Sequence, residues 1–216
     1  MWDIKTLELV DILKGHNGFV SSLAFDGNSI LYSGGYDSTI QIWDLNSRKL
    51  MSSILRENEA GRLNGGHCGP ISCIFYSSDR LVSASHDSTV KLWNKENACK
   101  LTLQGHKDWV LCVTVFGRYI ASGSRDNTIR IWEFATGRPI SVLEDHKHYV
   151  YSLAVSSNGK YLFSGSMDKS VKVWDLNQFI PLQTLYGHIN TVCCILPGHG
   201  NTIFTSSWDK LVKIWQ

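Results

Sequence analysis

Residues 162–175 read Leu-Phe-Ser-Gly-Ser-Met-Asp-Lys-Ser-Val-Lys-Val-Trp-Asp: two short strand patterns joined by a tight polar turn and closed by Trp174-Asp175. Four further stretches repeat it, Leu31–Asp44, Leu81–Asn94, Ile120–Glu133 and Ile203–Gln216. In every copy the turn aspartate (Asp37, Asp87, Asp126, Asp168, Asp209) stands six residues before the tryptophan (Trp43, Trp93, Trp132, Trp174, Trp215). A hydroxyl side chain stands four residues before that aspartate: Ser33, Ser83, Ser122, Ser164 and Thr205. Five copies at one internal spacing make the chain a repeat, and every other residue has to be read by its place in that repeat.

Each repeat opens on a Gly-His or Asp-His pair, with His16, His67, His106, His146 and His188, and a strand pattern begins three to four residues later. A second strand ends at the hydroxyl position, and a third runs into the tryptophan. A weaker fourth covers Leu50–Leu55, Cys99–Leu103, Pro139–Leu143 and Pro181–Leu185. Short strands separated by Gly, Asn, Asp and Ser turns, with no helical period, predict an all-β protein. The turn aspartates are spaced 50, 39, 42 and 41 residues apart. The long interval holds Arg56–Gly66 (RENEAGRLNGG), expected as a mobile loop. Nothing else suggests a linker, so residues 1–216 read as one domain, with repeats over about 15–55, 66–104, 105–144, 145–186 and 187–216 plus 1–14.

Composition bounds the function. The 216 residues are 43 % hydrophobic and carry a net charge of +2, which argues against a nucleic-acid footprint. No apolar run is long enough for a membrane span, and Met1–Val10 lacks the layout of a signal peptide, so an intracellular place, cytoplasmic or nuclear, is expected. Cys73, Cys112 and Cys194 occupy a strand position that is Ser22 and Ser152 in the other repeats. That alternation marks a small packed site, and with no C-x-x-C pair the six thiols read as reduced packing residues rather than a disulfide or metal set.

A repeat of about 40 residues with four strands, an opening Gly-His and a closing Trp-Asp resembles the WD-repeat β-propeller family. The resemblance covers nearly the whole chain. Asp145 replaces the glycine before His146, and the final Asp becomes Asn94, Glu133 and Gln216 in three copies. The family pattern implies five four-stranded blades. It also implies a hydrogen-bonded tetrad of His, Ser/Thr, Asp and Trp inside each: His16, Ser33, Asp37 and Trp43, then the same positions from His67, His106, His146 and His188 onward. A buried indole N–H needs an acceptor, and a turn aspartate is placed to orient an imidazole.

His, Ser and Asp together also invite a hydrolase reading. Five near-identical sets point instead to architecture, since an enzyme needs one site. The predicted innermost strands, FVSSLAF, PISCIFY, WVLCVTV, YVYSLAV and TVCCIL, hold no carboxylate, so neither catalysis nor a cofactor is expected. The resemblance further implies that one face is lined by three positions per blade. Two flank the first strand's β-branched residue: Phe19, Pro70, Trp109, Tyr149 and Thr191 before it, and Ser21, Ser72, Leu111, Tyr151 and Cys193 after it. The third precedes the turn aspartate: Tyr36, His86, Arg125, Met167 and Trp208.

Aromatic, Arg and Met residues without other charges compose a protein-interaction surface, so Phe19, Tyr36, His86, Trp109, Arg125, Tyr149, Tyr151, Met167 and Trp208 are the candidate partner contacts, centred on Trp109, Arg125, Tyr149 and Tyr151. Arg56–Gly66 is expected to project from the same face and gate it. The expected function is a non-catalytic scaffold binding a peptide or protein; a histone-tail or nucleic-acid-associated module is the alternative. Five repeats leave closure open. A ring of five needs about 72° per blade where seven need about 51°. The chain is a piece of a longer protein, or a strained ring closed by Leu9–Leu13 as the last blade's fourth strand, or one of two copies that complete each other through open blade edges. The favoured expectation is a piece of a larger architecture that self-associates.

Overall fold

The computed structural model describes residues 1, 4–55, 65–77, 79–200 and 202–216. Trp2-Asp3 and residues 56–64, most of the predicted gating loop, lie outside the described residues. Among the described residues, nineteen strands form five antiparallel sheets in chain order. Four are four-stranded meanders: β1–β4 over Val20–Ile54, β5–β8 over Ile71–Gln104, β9–β12 over Val110–Leu143 and β13–β16 over Val150–Leu185. The fifth has three strands, β17 (Val192–Pro197), β18 (Ile203–Ser207) and β19 (Val212–Trp215). These sheets are the blades, as the repeat predicts.

One turn sets each blade. Asp87 accepts the Thr89 N–H and hydroxyl at 3.0 and 2.7 Å, which closes the β6–β7 hairpin. The residue after the aspartate bends into the left-handed region in all five blades, at φ between 66° and 72° (Ser38, Ser88, Asn127, Lys169, Lys210). A bulge at the start of each first strand, as between Ile71 and Cys73, puts two residues against one on the second strand and re-aims the side chain between them.

The core lies between blades. Ile40, Ile42 and Ile54 of the first blade pack on Ile71, Ile74, Leu81 and Trp93 of the second, and the next three junctions repeat the scheme. Where the backbones come closest a small residue is required: a Cβ at Gly34 would meet Ile71 Cγ2 at 2.6 Å. The serines after the β-branched residue tie the blades polar-wise. Ser21 Oγ donates to Ile71 O and Ser72 Oγ to Val110 O, both at 2.5 Å, so these two side chains bridge the junctions.

The two ends of the stack are uncovered. Val20 and Leu23 are 53 % and 60 % exposed, whereas Ile71, Val110, Val150 and Val192 in the place of Val20 are 0 % exposed. Val212 and Ile214 are 71 % and 64 % exposed, against 1 % and 2 % for Ile40 and Ile42. Each such side chain forgoes about 1.5–3 kcal/mol of burial. Of the two sources expected for the last blade's fourth strand, this chain's own N-terminal segment does not supply it. Met1 O accepts the Val10 N–H at 2.9 Å, so the segment folds back on itself, and no described strand pairs with β19 on its far side.

The close approach at Gly34 gives a direct test of the junction. Gly34→Ala should lower stability by about 1–3 kcal/mol through overpacking. Thermal melting of the two proteins side by side checks it, and an unchanged melting temperature would show that the first two blades are not packed as described.

Candidate functional site: an aromatic face over five hydrogen-bonded tetrads

Each predicted tetrad is assembled. In the second blade Trp93 Nε1–H donates to Ser83 Oγ at 2.8 Å, His67 Nε2 lies 2.8 Å from the same oxygen, and His67 Nδ1 lies 2.7 Å from Asp87 Oδ2. The other four sets, His16/Ser33/Asp37/Trp43, His106/Ser122/Asp126/Trp132, His146/Ser164/Asp168/Trp174 and His188/Thr205/Asp209/Trp215, repeat these contacts within 2.6–2.9 Å.

The chemistry orders the protons. An indole N–H can only donate and a carboxylate can only accept. The serine therefore accepts from Trp and donates to His Nε2, and the imidazole, protonated at Nδ1, donates to Asp. Burial, outweighing the Asp87 contact, pushes His67 below its usual range and keeps it neutral. Burial opposes ionisation of Asp87, but hydrogen bonds from His67, Thr89 and the Cys68 N–H outweigh it and hold the carboxyl at about 2. Asp126 and Asp168 are depressed by the same balance.

The face residues sit directly beside the tetrads. In each blade the residue before the turn aspartate donates its N–H to the carbonyl of the residue before the first strand: Tyr36 to Phe19, His86 to Pro70, Arg125 to Trp109, Met167 to Tyr149 and Trp208 to Thr191, at 2.8–3.0 Å. Side chains then meet within and between blades. Phe19 and Tyr36 of the first blade are edge-on at 6.2 Å, Tyr36 and His86 of the second at 5.4 Å, and His86 stacks on Trp109 of the third at 4.1 Å with the planes 2° apart. The Arg125 guanidinium carbon lies 4.6 Å from the Trp109 ring centre and 5.0 Å from that of Tyr149. Tyr151 and Trp208 form a separate pair at 5.6 Å.

A ladder thus crosses four blades, from Phe19 to Tyr149. Burial, then the Arg125 charge, pushes His86 below its usual range, so a neutral imidazole stacks on the indole. Arg125 Nε is buried and lies 3.5 Å from Asp108 Oδ2, beyond a hydrogen bond. Sequence reasoning missed two members of this set. Asp108 faces Arg125, and His148 packs edge-on against Tyr149 at 4.2 Å; each immediately precedes a predicted face residue, which is the signal that could have found them. The six cysteines are all free. A cleft of about 520 Å³ opens elsewhere, between blades four and five, and is lined by Phe163, Val173, Leu182, Ile203 and Trp215.

A sequence profile described as WD domain, G-beta repeat matches residues 7–44, 60–94, 97–133, 137–175 and 179–216. The chain belongs to the WD-repeat family. Among curated WD-repeat relatives it is similar to a guanine nucleotide-binding protein subunit beta-like protein of Encephalitozoon cuniculi, 30 % identical over 118 residues, covering 50 % of this chain and 33 % of the relative. It is 33 % identical over 103 residues to a U3 snoRNP-associated protein-like protein of Arabidopsis thaliana, covering 47 % of the chain and 19 % of the relative. A ribosome biogenesis protein of Kluyveromyces lactis is 34 % identical over 84 residues, covering 38 % and 19 %. The chain thus matches at most about a third of the length of these WD-repeat relatives.

The depressed groups fix the sign of a pH effect. A folded pKa below the unfolded one means the unfolded chain binds more protons, so stability falls with falling pH. Stability should be flat between about pH 7 and 8 and decline once the unfolded His67 protonates near its ordinary 6.5. It should then drop steeply from the ordinary carboxyl value of 3.8 towards the Asp87 value of about 2. Melting temperatures from pH 8 to 2 check this. A maximum near pH 5 would show cationic tetrad histidines instead.

Proposed function

We propose that this WD-repeat chain is a non-catalytic, intracellular interaction module, working in the nucleus or cytoplasm, that binds a peptide or protein segment along the aromatic ladder, with Trp109, Arg125 and Tyr149 as its centre. The observation that carries this reading is the stack itself: rigid rings and one guanidinium from four blades, held by backbone hydrogen bonds and partly open to solvent. Trp109 and Tyr36 remain about two-fifths and one-half exposed. Rings and Arg give large contact area at low entropy cost, the composition of binding hot spots. Tyr151, Trp208, Phe19 and Met167 extend the surface to either side.

The relatives' names favour a general assembly role over one chemistry. They include a U3 snoRNP-associated protein-like protein, a ribosome biogenesis protein and a nuclear distribution protein. What such different proteins have in common with this chain is the repeat, which supplies a scaffold. The tetrads support the same reading, because Ser83, Ser122 and Ser164 are wholly buried and no substrate reaches them. We further propose that the uncovered blade edges associate with a second copy of the chain.

Selection from a phage-displayed peptide library tests the face. The wild-type chain should enrich a consensus, and Trp109→Ala and Arg125→Ala should each weaken binding of the selected peptide at least tenfold with little change in melting temperature. Equal peptide binding by the variants would overturn the assignment. A large loss of melting temperature in both would assign the rings to packing between the loops.

A further inference from the structure

Every junction between consecutive blades is built from the same two halves. The receiving half carries a small residue on the second strand and two β-branched or Leu residues on the third, such as Gly34, Ile40 and Ile42. The entering half carries the first-strand pair, such as Ile71 and Ile74. The chain leaves one unmatched half at each end: the entering pair Val20 and Leu23 on the first blade, and the receiving pair Val212 and Ile214 on the fifth. Ser206 holds the place of Gly34 there, a small residue as Ala84 is at the same place of the second blade.

We propose that these two faces bind each other between copies, head to tail. The first blade of one copy seats on the fifth blade of the next, and residues 9–13 of the incoming copy complete the missing fourth strand. This rests on the self-association proposed above and specifies its geometry.

The register follows from the other blades. Leu103, Leu143 and Leu185 each lie three residues before the opening histidine, and they pair with Val90, Ile129 and Val171. The same count puts Leu13 opposite Val212. Cys99, Pro139 and Pro181, seven before the histidine, pair with the tryptophans, which puts Leu9 opposite Trp215. Leu9, Val10 and Ile12 are exposed and unpaired with any other blade, so the segment is free to exchange its own fold-back for β19. A face-to-face pairing of like ends fits worse. Two entering faces bring two sets of branched side chains together with no trough between them, and they leave the β19 edge bare.

The test uses the 216-residue chain and two exposed substitutions, Leu23→Lys and Val212→Lys, with light scattering after size exclusion. Wild type should run at twice the chain mass of 24.3 kDa or above. Each variant alone should be monomeric with an unchanged circular dichroism spectrum, because each has lost one half. Mixed, they should recover a one-to-one dimer through the two intact halves, with slowed amide exchange over Val212–Trp215 from the added strand. A wild-type monomer at all concentrations would overturn self-association altogether. An oligomer that survives both substitutions, or variants that fail to complement, would overturn the head-to-tail arrangement alone. A complemented dimer without protection at β19 would overturn the strand addition.

Discussion

Five indole N–H groups, three of them on tryptophans with almost no exposure, must each find an acceptor inside a sheet, and this need organises the molecule. An unmet buried donor costs about 1–3 kcal/mol, so the second strand has to place a hydroxyl opposite the third-strand tryptophan. That hydroxyl, now accepting from Trp, can give its own proton only to the histidine. The histidine in turn must find the aspartate, and the aspartate closes the hairpin that began the series. The result is a loop of dependencies: the turn positions Asp, Asp orients His, His fixes Ser, and Ser satisfies the Trp that the turn's own strand carries.

The same loop shows how this constellation differs from the hydrolase triad it resembles. A nucleophilic serine needs an open approach and a free lone pair. Here one lone pair accepts from the indole N–H at 2.8 Å, and the missing approach decides the matter, since Ser83, Ser122 and Ser164 are wholly buried. What the tetrad does deliver is position. Its aspartate anchors the residue just before it, and the backbone bond from that residue to the start of the first strand sets two side chains next to each other on one face. The free positions of the repeat thereby inherit the precision of the constrained ones.

Local periodicity exposed most of the architecture. The spacing of Asp and Trp gave the number of repeats and the order of strands within each, while blades and tetrad membership came from the resemblance to the WD-repeat family. Properties between repeats were harder to read. Ser21 and Ser72 were read as face residues by position, but that their hydroxyls also donate to Ile71 and Val110 of the next blade could not be read from one repeat. The ladder's rings were predicted one by one, but the stacking of His86 on Trp109 was not, because it joins residues from two blades that no single repeat contains together. Leu9–Leu13 has a strand pattern but joins no sheet among the described residues; sequence pattern shows what a segment is able to pair with, and the fold shows whether it does.

Repeat assemblies draw their stability from junctions as much as from units, so a residue's rigidity depends on how many neighbours its blade has. Trp109 is held between His86 of the preceding blade and Arg125, which itself reaches Tyr149 of the next. Phe19 and Trp208 stand on the two terminal blades, and Phe19 has only Tyr36, from its own blade, beside it. Preordered groups lose less entropy when a partner arrives. The ladder groups best ordered by their neighbours therefore stand on the second to fourth blades, where both junctions are complete. Any contact that covers the end faces would stiffen the terminal blades and bring their rings to the same order as the middle ones.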